Sequence, residues 1–223
     1  MDGGARPLDG IEVLVDREAV VVRSRDELTV VSSAIAAGGF ARARAVVNVH
    51  VPKNFPCEDV DARLAGFVAR RDVPAPWVGL LTSAWTEKAE LASAAAHGLT
   101  ALAVVTVGLS NRVAAGLTPA ARWAPSTINT IVVVDADAEP AALVNAVITV
   151  TEVKTARLAA AGVRCADGAL ATGTSTDAVV VAATGRGRRR RFGGPVSELG
   201  AVVARAAHAA LDAGIRRWVE DHR

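Results

Sequence analysis

The stretch PAALVNAVITVTEVKTARLAAAG, from Pro140 to Gly162, constrains the fold more than any other part of the chain. Asp137 stands where an N-cap would, Pro140 suits a first helical turn, and Gly162 suits a helix C-terminus. Between them the segment is apolar almost all round, the pattern of a long helix buried between layers. Successive helical residues turn about 100°. Asn145, Thr149, Glu152 and Ala156 therefore share one narrow stripe, with Leu143, Val147, Val150 and Leu158 opposite. On this reading Glu152 sits on a half-buried polar seam. Lys154, about 200° from it, cannot share its site.

A helix that needs cover on several sides requires strands to supply it. Short Val-rich runs recur on both sides of it: IEVLVD and AVVVRS as a hairpin around Asp16, LTVVSSA as a third strand, then ARAVVNVHV, WVGLLTSA, TALAVVTVG, STINTIVVVDA and DAVVVAA. EDVDARLAGFVARR places Val60, Leu64, Phe67 and Val68 on one helical face. EKAELASAAAH favours helix by composition, although a strand also fits. Leu199, Val202, Val203, Ala206, Ala210 and Leu211 recur at helical spacing after Ser197. Strands and helices mix without strict alternation. This predicts an α/β or α+β fold: one domain over residues 1–223 with a mixed sheet, a long buried central helix and a C-terminal helix. Residues 184–196 read as a basic loop and 197–223 as the last helix.

With 51% apolar and 22% charged residues, the chain is globular rather than disordered. Its net charge of +2 does not call for a nucleic-acid partner. The run Arg186–Arg191 is the exception, but no aromatic interleaves with it and a solvated loop accounts for it. No apolar run reaches the roughly 20 residues of a membrane helix, and MDGGARPLDG lacks the basic and apolar regions of a secretory signal. Cys57 and Cys165 have no metal or redox spacing, so reduced thiols and a cytoplasmic location are expected. No metal site or cofactor is predicted. Ala/Val strand edges make a homodimer reasonable.

Several segments together resemble the adenosylcobinamide amidohydrolase family. They are VSSAIAAGGFARARAVVNVHV (31–51), VGLLTSA (78–84), VVTVGLSN (104–111), TINTIVVV (127–134), ALVNAVITVTEVKTARL (142–158) and ATGTSTDAVVVA (171–182), a core of about residues 30–183. TEVKTA and TGTSTDAVVV are the specific pieces. The resemblance implies a corrinoid-salvage hydrolase. It would cleave the amide joining aminopropanol to the corrin ring of adenosylcobinamide, giving adenosylcobyric acid and 1-amino-2-propanol. The corrinoid is then substrate and not cofactor. A corrinoid carrier without turnover, or a hydrolase of another small amide, would share the same pocket.

Amide hydrolysis needs an activated nucleophile, donors for the oxyanion and an acid for the leaving amine. Glu152 on its seam and Asp177 after the Thr-rich turn are the candidate bases, expected to line a common cavity. An ion pair or a satisfied hydrogen-bond network is the structural alternative for Glu152. Strand alternation puts His50 on one face with Asn48, as a proton carrier or a core-edge histidine. Asn48, Asn111, Asn129 and Asn145 could hold the oxyanion or a polar ligand rim, or cap turns. Ser110 follows a buried strand, but Arg112 stands where a nucleophile elbow needs glycine, so a binding hydroxyl fits it better. Alternation aligns Thr172, Thr174 and Thr176 as a ligand-binding hydroxyl row. Trp85 and Trp123 could lie against a flat ring, though core packing is the commoner use.

Overall fold

In a computed structural model of the chain, residues 8–120 and 126–222 are described, apart from the Cys57 side chain. The strands are β1 (Ile11–Val15), β2 (Ala19–Ser32), β3 (Gly39–His50), β4 (Trp77–Thr82), β5 (Glu90–Ala96), β6 (Leu99–Val107), β7 (Arg112–Val113), β8 (Ile128–Val134), β9 (Asp137–Ala138), β10 (Gly173–Thr174), β11 (Ala178–Ala183) and β12 (Arg189–Arg190). The helices are α1 (Val60–Arg70), α2 (Pro140–Ala160) and α3 (Glu198–Asp221). The main sheet runs β4-β3-β2-β11-β8-β6-β5, with β1 added beside β2. It is mixed: β3/β4 and β11/β8 are parallel and the remaining neighbours antiparallel.

β2 is the long member of this sheet. The two runs AVVVRS and LTVVSSA form one strand, not two, joined by a bulge between Arg23 and Leu28. An inserted bulge bends a strand without ending it. Before the bulge β2 lies between β1 and β3, and after it between β11 and β3. The sheet folds over at this bend, so that β3 and β4 face β6 and β8. Val46, Val78 and Leu80 from one half meet Leu102, Val104, Ile131 and Val133 from the other. α1 covers the outer face of the first half through Val60, Leu64 and Phe67. α2 and α3 cover the outer face of the second half through Leu143, Val150, Leu158, Val203, Leu211 and Ile215. Four layers result: helix, sheet, sheet, helix.

Several local expectations change. β5 is a strand although its Ala-rich sequence favours helix, because pairing with β6 and cover by α3 override a weak propensity. Asp137 is not the cap of α2. It belongs to β9, and Glu139 precedes the helix without a side-chain cap. Nor is α2 buried all round: Val144 (42% exposed) and Ile148 (50%) lie on an open stripe with Asn145 and Glu152. The basic segment is not a free solvated loop. β12 pairs with β9, and Arg186, Arg189, Arg190 and Arg191 meet Asp135, Glu139 and Glu198. Ser197 caps α3 by accepting from the amide of Gly200. No helix among the described residues is long and apolar enough to cross a membrane.

The β1–β2 turn is fastened by Asp16. Its carboxylate accepts from the amides of Glu18 and Ala19 and from Arg71 at 2.6 Å. Partial burial pushes the carboxyl up, but Arg71 and the two amides outweigh that and hold it below the ordinary carboxylate value. A group depressed in this way stabilises the fold fully above its unfolded pKa of about 4 and loses that contribution as pH falls through its folded value. Asp16→Asn should therefore lower stability by up to about 1 kcal/mol at pH 7, the pair being partly exposed. In urea denaturation followed at pH 7 and pH 3, the gap between wild type and variant should shrink at the lower pH.

Candidate functional site

A cleft of about 450 Å3 opens at one end of the folded sheet. Leu80, Leu81 and Thr82 at the end of β4 form one wall, and Thr127 and Asn129 at the start of β8 form another. Ser175, Thr176 and Asp177, from the turn between β10 and β11, close it on a third side, and Ser33, Val51, Phe55 and Ser83 are among the other lining residues. Asp177 is the only carboxylate among these lining residues.

The turn is held from behind by a buried ion pair. Lys154 of α2, 7% exposed, donates from Nζ to Asp177 Oδ2. Thr174 adds its hydroxyl to Oδ1 and its amide to Oδ2 at 3.1 Å. The amide of Ile128 reaches Oδ1 at 3.0 Å. All the strong acceptor positions of the carboxylate are thus engaged. A buried charge needs this degree of satisfaction. Gly173 makes the pair possible: a Cβ there would fall 2.3 Å from Asp177 Oδ2 and 2.8 Å from Lys154 Nζ.

A second polar chain runs through the inner face. Asn129 Nδ2 donates to Asn48 Oδ1 at 2.8 Å and to the carbonyl of Leu81 at 2.9 Å. Asn48 Nδ2 donates to Thr106 Oγ1 at 3.0 Å. β3 and β8 are not neighbours in the sheet, so the Asn48–Asn129 bond crosses the gap between the two halves. The Thr127 hydroxyl lies 3.0 Å from Asn129 Oδ1 and 2.7 Å from the carbonyl of Thr176.

These contacts sort the residues singled out in the sequence. Asn129, Thr176 and Asp177 line the cleft, and Thr174 and Asn48 stand directly behind them. Both amide hydrogens of Asn129 are engaged by protein, so it frames the cleft rather than donating into it. Asn111 reaches the rim by donating to Ser175 Oγ at 2.6 Å. Thr172 is turned to the β7 side, where its hydroxyl accepts from the amide of Ala115. Ser110 lies beside a second, smaller cleft of about 100 Å3 and accepts from Lys53 Nζ at 3.2 Å. His50 stacks on Trp85, its Nδ1 3.0 Å from the carbonyl of Ala84.

The expectation that Glu152 shares a cavity with the Thr-rich turn is overturned. Glu152 and Asn145 sit on the solvent face of α2, outside the lining of either cleft. The face turned to Asp177 carries Lys154, which sequence reasoning set aside. The signal was present: Lys154 falls four residues after Val150 and four before Leu158, inside the buried apolar row. Trp85 is 58% exposed rather than core, and Trp123 lies outside the described residues. Cys165 is a free, buried thiol. Among the described residues no three His, Cys, Asp or Glu side chains gather as a metal site would require.

The model of the adenosylcobinamide amidohydrolase family matches residues 5–223. An adenosylcobinamide amidohydrolase of Halobacterium salinarum is 34% identical over 193 residues, covering 78% of this chain and 77% of the relative. Among solved structures, a Pyrococcus horikoshii OT3 protein superposes with a TM-score of 0.48 at 12% identity, covering 97% of this chain and 82% of its own. A beta-aminopeptidase of Burkholderia sp. gives 0.48 at 11% identity, covering 96% and 81%. Likenesses this loose say nothing about chemistry.

Breaking the buried pair should be costly. Lys154→Met leaves a carboxylate without its cation, and a stability loss of about 3 kcal/mol is expected in urea denaturation. Combined with Asp177→Asn, the loss should be smaller than the sum of the single losses. Gly173→Ala should cost about 2 kcal/mol by crowding the same two atoms.

Proposed function

The chain belongs to the adenosylcobinamide amidohydrolase family, and from that premise we propose that it hydrolyses the amide between aminopropanol and the corrin ring, releasing adenosylcobyric acid and 1-amino-2-propanol. The corrinoid is the substrate, and the reaction returns it to cobamide synthesis in the cytoplasm. The observation that carries this reading is a cleft of largely apolar walls that also presents Ser and Thr hydroxyls and, among its lining residues, one carboxylate. Its size falls in the range of small-molecule sites. It suits the aminopropanol arm and the adjoining amide, with the macrocycle outside.

In this proposal Asp177 accepts the proton of the attacking water. For this, one of the four donors to Asp177 must give way, and in this reading the Thr174 hydroxyl does so by rotating, which opens a lone pair on Oδ1 for that water. Hydroxide adds to the amide carbon, and the proton held by Asp177 passes to the leaving amine as the C–N bond breaks. Lys154 keeps the carboxylate in place. The Ser33, Ser83 and Ser175 side chains face the arm. Glu152 takes no part.

The experiment is incubation with adenosylcobinamide and mass analysis for cobyric acid. Wild type should form it. Asp177→Asn should lower kcat by at least about a hundredfold, while Glu152→Gln should match wild type. A fully active Asp177→Asn would remove Asp177 as the base. Corrinoid bound but returned intact by wild type would identify a carrier instead.

A further inference from the structure

We propose that Trp85, braced by His50, is a stacking platform for a flat conjugated ring of the substrate, set beside the cleft that holds Asp177. This rests on the corrinoid reading and adds to it the place where the bulk of the molecule lies.

Trp85 is 58% exposed in a chain with four tryptophans and no tyrosine. Phe40 and Phe192 are as exposed, so it is the support of the ring and not its exposure that sets Trp85 apart. Its ring is fixed. The imidazole of His50 stacks on it with centroids 5.0 Å apart and planes 15° from parallel. Nδ1 of His50 lies 3.0 Å from the carbonyl of Ala84 and donates to it, which locks the imidazole in turn. The backbone on either side is anchored. Ala84 is buried and donates to Thr82 Oγ1 at 3.0 Å, and the buried Thr86 hydroxyl donates to the carbonyl of Asp16 at 2.7 Å. One aromatic face is thus supported by protein on a rigid stretch of chain. Such preorganisation is what a ring-binding surface needs.

Position supports the same assignment. Ser83, two residues before Trp85, lines both clefts, while Trp85 lines the smaller one with Lys53, Ser110 and Ser126. A ring on Trp85 therefore lies between a polar rim and the carboxylate cleft. Trp218 lines the same smaller cleft but carries a cation as well as a stacked histidine, where Trp85 has His50 alone. His222 stacks on Trp218 at 4.0 Å, and the Arg112 guanidinium stands 5.7 Å from its centroid. Aromatic stacking tolerates any flat π-face. In adenosylcobinamide that face is either the adenine of the upper ligand or the macrocycle.

The test is absorbance titration of wild type, Trp85→Ala and Trp85→Phe with adenosylcobinamide and with dicyanocobinamide, which lacks adenine. Thermal unfolding of each variant is recorded in parallel. Trp85→Ala should raise Kd for adenosylcobinamide about tenfold and still unfold in one cooperative thermal transition. Trp85→Phe should stay within about threefold of wild type. A loss confined to adenosylcobinamide assigns the platform to adenine, and a loss with both assigns it to the macrocycle. Wild-type affinity for both ligands in Trp85→Ala overturns the platform alone. A wild type that binds neither overturns the corrinoid reading and the platform with it.

Discussion

The contact between Lys154 and Asp177 is where the layers of this molecule answer to one another. It joins the middle of α2 to the turn between β10 and β11, and through the amide of Ile128 it reaches the start of β8. An ammonium and a carboxylate withdrawn from water gain stability only if nearly every hydrogen-bonding position is filled. Here the turn itself fills them, with the amide and hydroxyl of Thr174 closing on the carboxylate. The requirement runs both ways. The pair dictates the shape of the turn, and the shape of the turn presents Ser175 and Thr176 to the cleft. Gly173 belongs to the same constraint, since no side chain fits where the two charges meet.

The Asn48–Asn129 bond does comparable work between the two halves of the sheet. Most of the space between them is filled by Val, Leu and Ile, which pack well in many registers. Two amides that must find each other, flanked by Thr106 and the carbonyl of Leu81, select one register. The cleft sits beside this polar chain, so the alignment of the halves and the geometry of its walls are fixed together.

Much of this was legible in the chain. The Val-rich runs, the Val60–Leu64–Phe67 face and the Pro140 start all follow from local rules. Asp177 is a candidate in the sequence by its place between a Thr-rich turn and a strand, but its ion pair is not visible there. The facing of α2 was harder. Val144 and Ile148 on its open side weaken the contrast that normally marks the buried stripe, and a lysine within an apolar row reads as a long side chain reaching for water. Its partner is 23 residues away, and nothing local announces it. The continuity of β2 was hidden in the same manner: Arg23 to Glu27 looks like a polar break between strands, whereas its partners on β3 convert it into a bulge. Long-range pairing decides such cases, and single-sequence periodicity does not carry it.

The arginine run after β11 has a bearing on how the molecule responds to its surroundings. Arg186 reaches Asp9 and Asp135, Arg189 and Arg191 reach Glu139, and Arg190 reaches Glu198. One short segment thereby clasps the N-terminal strand region, the approach to α2 and the first turn of α3. Most of these clasps are open to solvent and are screened as ionic strength rises. The inner pair at Lys154 is shielded from that influence. The periphery of the fold is thus tuned by dissolved ions, while the chamber beneath it keeps its form.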